Sequence, residues 1–111
     1  MIRARFFSSN GHYVSFCIEG HSGYDIKGKD IVCAAVSALA QHTARSLTKY
    51  CGAIVEKKQA KLNVLLPQPS EFSDILVREL HESIEDIHSQ YPQNLSVEVV
   101  INEDRHTVVR S

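Results

Sequence analysis

Three cysteines and six histidines stand in this 111-residue chain, and one pair of them is placed for nucleophilic chemistry. Cys33 lies in the run Lys29-Asp30-Ile31-Val32-Cys33-Ala34-Ala35-Val36. With Asp30 as N-cap it becomes the third residue of a helix, where unpaired backbone N–H groups and the positive end of the macrodipole favour an anion. A free thiol titrates near about 8.5, but one at a helix N-terminus or beside an imidazolium can fall to roughly 3.5–7.5. This position therefore predicts a thiolate nucleophile. The competing reading is a small buried hydrophobe inside an apolar run. His21 opens the glycine-rich stretch that leads straight into the Cys33 helix. A loop of this length closes cheaply, so if the strand end and the helix start lie on the same edge of the domain the imidazole can reach the sulfur and take its proton. An exposed loop histidine is the alternative, and with six histidines a chance pairing is unsurprising.

The elements around this pair follow from periodicity. Residues 2–7 and 13–19 alternate about Asn10-Gly11, a pair suited to a two-residue hairpin turn, with Val14, Phe16 and Ile18 on one face and Tyr13, Ser15, Cys17 and Glu19 on the other. Residues 20–29 have no period and hold three glycines, which predicts a loop. Val32, Val36, Leu39, Thr43, Leu47 and Tyr50 then recur at helical steps until Gly52, so a helix is expected over 31–50. Segments 53–58 and 61–66 form a second hairpin across Lys58-Gln59-Ala60, ending at Pro67. Phe72, Leu76, Leu80, Ile84, Ile87 and Tyr91 define a second helix over 71–90, stopped by Pro92. Leu95, Val97, Val99 and Ile101 make a last strand, and the charged tail from Asn102 is left without an assignment. The order ββαββαβ predicts a two-layer α+β domain spanning residues 1–111, with a mostly antiparallel sheet and both helices on one face.

Composition narrows the function. Twelve basic and thirteen acidic residues give a net charge of −1, spread along the chain, which argues against a broad nucleic-acid or anionic-membrane footprint. The odd cysteine count, without a repeated spacing, is no disulfide framework and fits a reducing compartment. With no apolar leader in the Met-Ile-Arg-Ala-Arg start and no run long enough to span a bilayer, a cytoplasmic location is expected.

The segment Gly20-His21-Ser22-Gly23-Tyr24, followed after Asp25-Ile26-Lys27-Gly28 by Lys29-Asp30-Ile31-Val32-Cys33-Ala34-Ala35-Val36-Ser37-Ala38-Leu39, resembles the signature of the ribosomal-processing cysteine protease Prp family. The likeness is close over residues 20–39 and looser elsewhere, with Ser22 where alanine is common. The resemblance implies a homodimeric, cofactor-free cysteine endopeptidase. Its substrate would be a large-subunit ribosomal protein, the one whose N-terminal arm reaches the peptidyl-transferase centre, from which it removes a short N-terminal extension. It implies Cys33 as nucleophile and His21 as proton-transfer partner, with further motif positions at Gly20, Asp30 and Ser37. Physically, Gly20 permits a backbone angle or a close approach, Asp30 suits an N-cap more than a third catalytic group, and Ser37 lies one turn after Cys33.

Two other readings compete. A ribosome- or RNA-associated binding module with a structural Cys33 is opposed by the balanced charge and by the lack of interleaved aromatic and basic residues. A metal site built from Cys17, Cys33, Cys51 and the histidines lacks close ligand spacing, and no metal is expected.

Overall fold

The computed structural model describes residues 1–20, 30–103 and 106–110, with side chains described through residue 102. The elements are β1 (Ile2–Ser9), β2 (His12–Gly20), α1 (Ile31–Cys51), β3 (Ile54–Lys58), β4 (Lys61–Leu65), α2 (Glu71–Gln90), β5 (Leu95–Glu103) and β6 (His106–Arg110). One sheet holds the strands in the order β3-β4-β2-β1-β5-β6. Only β1 and β5 run parallel; every other neighbouring pair is antiparallel. The fold is α+β, and the tail left unassigned from sequence adds the sixth strand, pairing Val99–Glu103 with His106–Arg110.

Local chemistry accounts for the ends of these elements. Asn10 and Gly11 have φ of 54° and 82°, the two positive angles a twist-matched hairpin turn requires. Helix α1 starts on the Asp30 cap and stops at left-handed Gly52, whose N–H returns to the Leu47 carbonyl. Helix α2 starts on a reciprocal cap between Ser70 and Ser73.

The core lies between one sheet face and the two helices, which also pack on each other. Ile2, Ala4 and Phe6 of β1 and Phe16 and Ile18 of β2 meet Val32, Val36, Ala40, Ala44 and Leu47 of α1 and Val77, Leu80 and Ile84 of α2. Three expectations about which side chains turn inward need correction. The β1–β2 register slips between Phe7 and Ser8, pairing Phe7 with Ser15 but Ser8 with Tyr13. Val14 is thus the extra residue, and from there the alternation inverts, so Tyr13 turns to the helices and stacks edge-on to Phe6. On α1, Ala40 and Ala44 take the buried positions while Tyr50 is 63% exposed. On α2, Ser73, Asp74 and Val77 are buried and Phe72 is half-exposed, resting edge-on against Tyr50 at 6.4 Å between ring centres.

Candidate active site

Strand β2 ends beside the start of α1. Gly20 donates its N–H to the Ala60 carbonyl at 2.8 Å, tying the end of β2 to the β3–β4 turn. Its φ is 95°, and a Cβ there would overlap the Met1 carbonyl oxygen. Glycine is required at position 20 by backbone angle and by this approach of the first strand. Asp30 has extended backbone angles and accepts the Cys33 N–H on Oδ1 at 2.8 Å, while its carbonyl accepts from Ala34 at 3.1 Å. Cys33 is therefore the third residue of α1, as its sequence context predicts.

A cleft of about 330 Å³ opens between α1 and the sheet edge, and Gly20, Cys33 and Ser37 all line it. Ile2, Ile18, Val36 and Leu62 provide apolar lining, and Glu19, Gln41, Lys57, Lys58 and Lys61 provide polar lining. Asp30 acts on the site from beneath, through the Cys33 amide. His21 and the rest of residues 21–29, including the Ser22 variation, lie outside the described residues.

The electrostatics depart from the helix-dipole expectation. Burial pushes the Cys33 thiol up, and the Asp30 carboxylate pushes it further. The cap that starts the helix consumes the Cys33 amide and sets a negative charge beside the sulfur, so the described surroundings favour the thiol. Cys17 and Cys51 are also pushed up, chiefly by burial. All three cysteines are free, and Cys33 alone among them lines the cleft.

A second polar cluster sits at the other end of β2. Buried Asp74 accepts the Tyr13 N–H at 3.0 Å and lies 2.6 Å from His12 Nδ1. The Tyr13 hydroxyl and His81 Nδ1 share a hydrogen bond at 3.2 Å. His81 Nε2 is 3.3 Å from Glu85 Oε2, near enough for charge attraction but not aligned as a hydrogen bond. Sequence reading missed this cluster, because its members come from β2 and α2, 61 or more positions apart. It also missed Gln41, further along α1 from Cys33, and Lys57, which the β3–β4 hairpin brings to the Cys33 cleft. Among the described residues no group of three or more His, Cys, Asp or Glu could hold a metal ion, and no helix is long and apolar enough to cross a membrane.

The sequence profile of the family described as Cysteine protease Prp matches residues 1–96. This chain belongs to the cysteine protease Prp family. Solved structures of similar shape include the ribosomal processing protease Prp from S. aureus in complex with a covalently linked product peptide. That structure has a TM-score of 0.75 at 16% identity, covering 89% of this chain and 99% of the other. The same S. aureus protease in complex with a substrate peptide gives 0.72 at 16% identity, over 94% and 100% of the two chains. SMU.848 from Streptococcus mutans gives 0.76 at 23% identity, over 92% and 96%. No curated protein sequence matches this chain significantly. In this chain a partly buried cysteine at a helix start lines a cleft with an apolar floor.

Proposed function

We propose that this chain is a cysteine endopeptidase that removes a short N-terminal extension from a large-subunit ribosomal protein, with Cys33 as nucleophile and His21 as its proton-transfer partner. The observation that carries the reading is the shared cleft of Gly20 and Cys33. His21 follows Gly20 directly in the sequence, and Gly20 lines the cleft with Cys33. Membership of a cysteine protease family, and the peptide complexes of the S. aureus relative, support a peptide substrate.

The raised thiol makes the second residue a requirement. Without a cationic partner Cys33 stays protonated at neutral pH, and an imidazolium at His21 would offset both burial and the Asp30 carboxylate. In the reaction His21 takes the thiol proton and the sulfur attacks the scissile carbonyl carbon. Collapse of the tetrahedral adduct breaks the C–N bond, and His21 returns the proton to the leaving amine. Water, deprotonated by His21, then cleaves the thioester and frees Cys33. The Cys33 amide is committed to Asp30, so an oxyanion donor must come from another group. Gly20 keeps the end of β2 close against Met1, Asp30 positions the nucleophile through its amide, and Ser37 borders the cleft one turn along.

The same reading includes a cofactor-free homodimer working in the cytoplasm, supported by the family resemblance and the three free cysteines. The test is to incubate the protein with the host's ribosomal protein and read the new N-terminus by mass spectrometry. A single cut within its N-terminal extension is the expected product; an uncut protein, under conditions where iodoacetamide labels Cys33 no faster than Cys51, would overturn the reading. Sedimentation equilibrium decides the dimer.

A further inference from the structure

The Cys33 cleft does not end at the nucleophile. A second hollow of about 330 Å³ lies further along α1, between that helix and β3, and shares Gln41, Lys57 and Leu62 with the first. Cys33, Ser37 and Gln41 line the first hollow, and Gln41, Arg45 and Lys49 the second. These five residues recur every fourth position and so form one ridge of α1. The opposite wall is β3, the edge strand of the sheet, whose outer side has no strand partner among the described residues. An open edge beside a groove suits an extended peptide, which can pair its main chain there.

The far hollow has one sign of charge. Its apolar floor of Ala44, Val55 and Leu62 is bordered by Arg45, Lys49 and Lys57, and no acidic side chain lines it. Lys57 donates to Gln41 Oε1 at 2.9 Å, which holds its ammonium where the two hollows join. Of the three cations that line the groove, Lys49 also lies over the Tyr50 ring, whereas Arg45 and Lys57 are held on no ring among the described residues.

We infer that this groove is a distal substrate subsite that takes an acidic side chain of the extended peptide, read by Arg45 and Lys57. The inference rests on the protease reading and adds to it a charge and a distance. Arg45 lies three turns and a little more beyond Cys33, about 18 Å at ~1.5 Å per residue. An extended peptide covers that in roughly five or six residues at ~3.3 Å each. The carboxylate therefore belongs about five or six residues from the scissile bond, too far to touch the reacting atoms. Its interaction would be the same in the ground and transition states, so it lowers KM and leaves kcat alone.

The probes are internally quenched peptides built on the N-terminal segment of the host's ribosomal protein, with glutamate, glutamine or lysine placed in turn at each position from two to nine residues on either side of the cut. Glutamate at about five or six residues on one side should lower KM roughly threefold to tenfold relative to glutamine at low salt, with less gain at high salt. In the Arg45→Glu, Lys57→Glu double variant the lysine peptide should become the preferred one. Equal KM values for the three peptides at every position, or a preference confined to within two residues of the cut, would overturn the subsite. Fluorescence anisotropy of the same peptides on Cys33→Ala separates the two readings. If the wild-type protein cleaves none of them, the protease reading fails; tighter binding of the glutamate peptides would still support the groove, and equal binding would end it.

Discussion

The two ends of β2 carry similar side chains put to different ends. At one end Asp30 opens α1, and at the other Asp74 lies in the first turn of α2. Asp74 is buried and turned inward, holding His12 and the Tyr13 amide so that the β1–β2 turn is fastened to α2. Burial also pushes the Tyr13 phenol up, so it stays neutral beside His81. Asp30 holds an amide of its own helix, and the sulfur above it faces a cleft. The Asp74 carboxylate joins two elements, whereas the Asp30 cap fixes the backbone of the cysteine that lines the cleft.

If that contrast is right, mutations at the two ends should separate activity from stability. The largest effect is expected from Cys33→Ala, which should abolish peptide cleavage while far-UV circular dichroism and the unfolding midpoint stay close to wild type. Retained cleavage would place the nucleophile elsewhere.

His21→Ala should lower turnover by about 100-fold or more. It should also move the pH dependence of Cys33 alkylation upward, since burial and Asp30 both raise the thiol and no group among the described residues offsets them. In wild type the reactive thiolate should persist at neutral pH; in the variant the rate should climb only as pH passes above the ordinary thiol range. Superimposable profiles would remove His21 from the site.

At the other end, Asp74→Ala should cost roughly 1–3 kcal/mol in urea unfolding, because it leaves a partly buried amide without its acceptor and His12 without its partner. Activity per folded molecule should be unchanged, and a folded but inactive Asp74→Ala protein would erase the distinction between the two ends. The smallest effect belongs to Phe72→Ala. The residue sits in the apolar periodicity of α2 but is half-exposed, so its loss should cost no more than about 0.5–1.5 kcal/mol, the scale of an aromatic pair, against roughly 2–5 kcal/mol for Leu80→Ala in the core.

Much of the architecture was legible in the chain because it depends on neighbours in sequence. The Asn10-Gly11 turn, the Asp30 cap, the Gly52 stop and the helix over 71–90 are local matters of backbone angle and capping, and they fall where the residues imply. The inward face of each helix was less legible. Alanine carries little weight in an apolar pattern, so the periodicity points to Leu39 and Thr43 rather than Ala40 and Ala44, although close packing against the sheet favours the smaller side chains. The side taken by Tyr13 depended on a one-residue slip between strands, which has no signature within either strand.

The candidate site divides along the same line. Cys33 at the third position of a capped helix, and its likeness together with Gly20, His21, Asp30 and Ser37 to a protease signature, come from contiguous residues and needed no fold to be seen. That Gly20 is held against Met1, that the Asp30 carboxylate raises a thiol which the helix start by itself would help ionise, and that Lys57 and Arg45 continue the cleft of Cys33 required the folded chain. Sequence determines which groups are available and the bonds they make within a turn or two. Desolvation and the sum of nearby charges depend on distances between elements far apart in the chain, and only the packed sheet and helices set those distances.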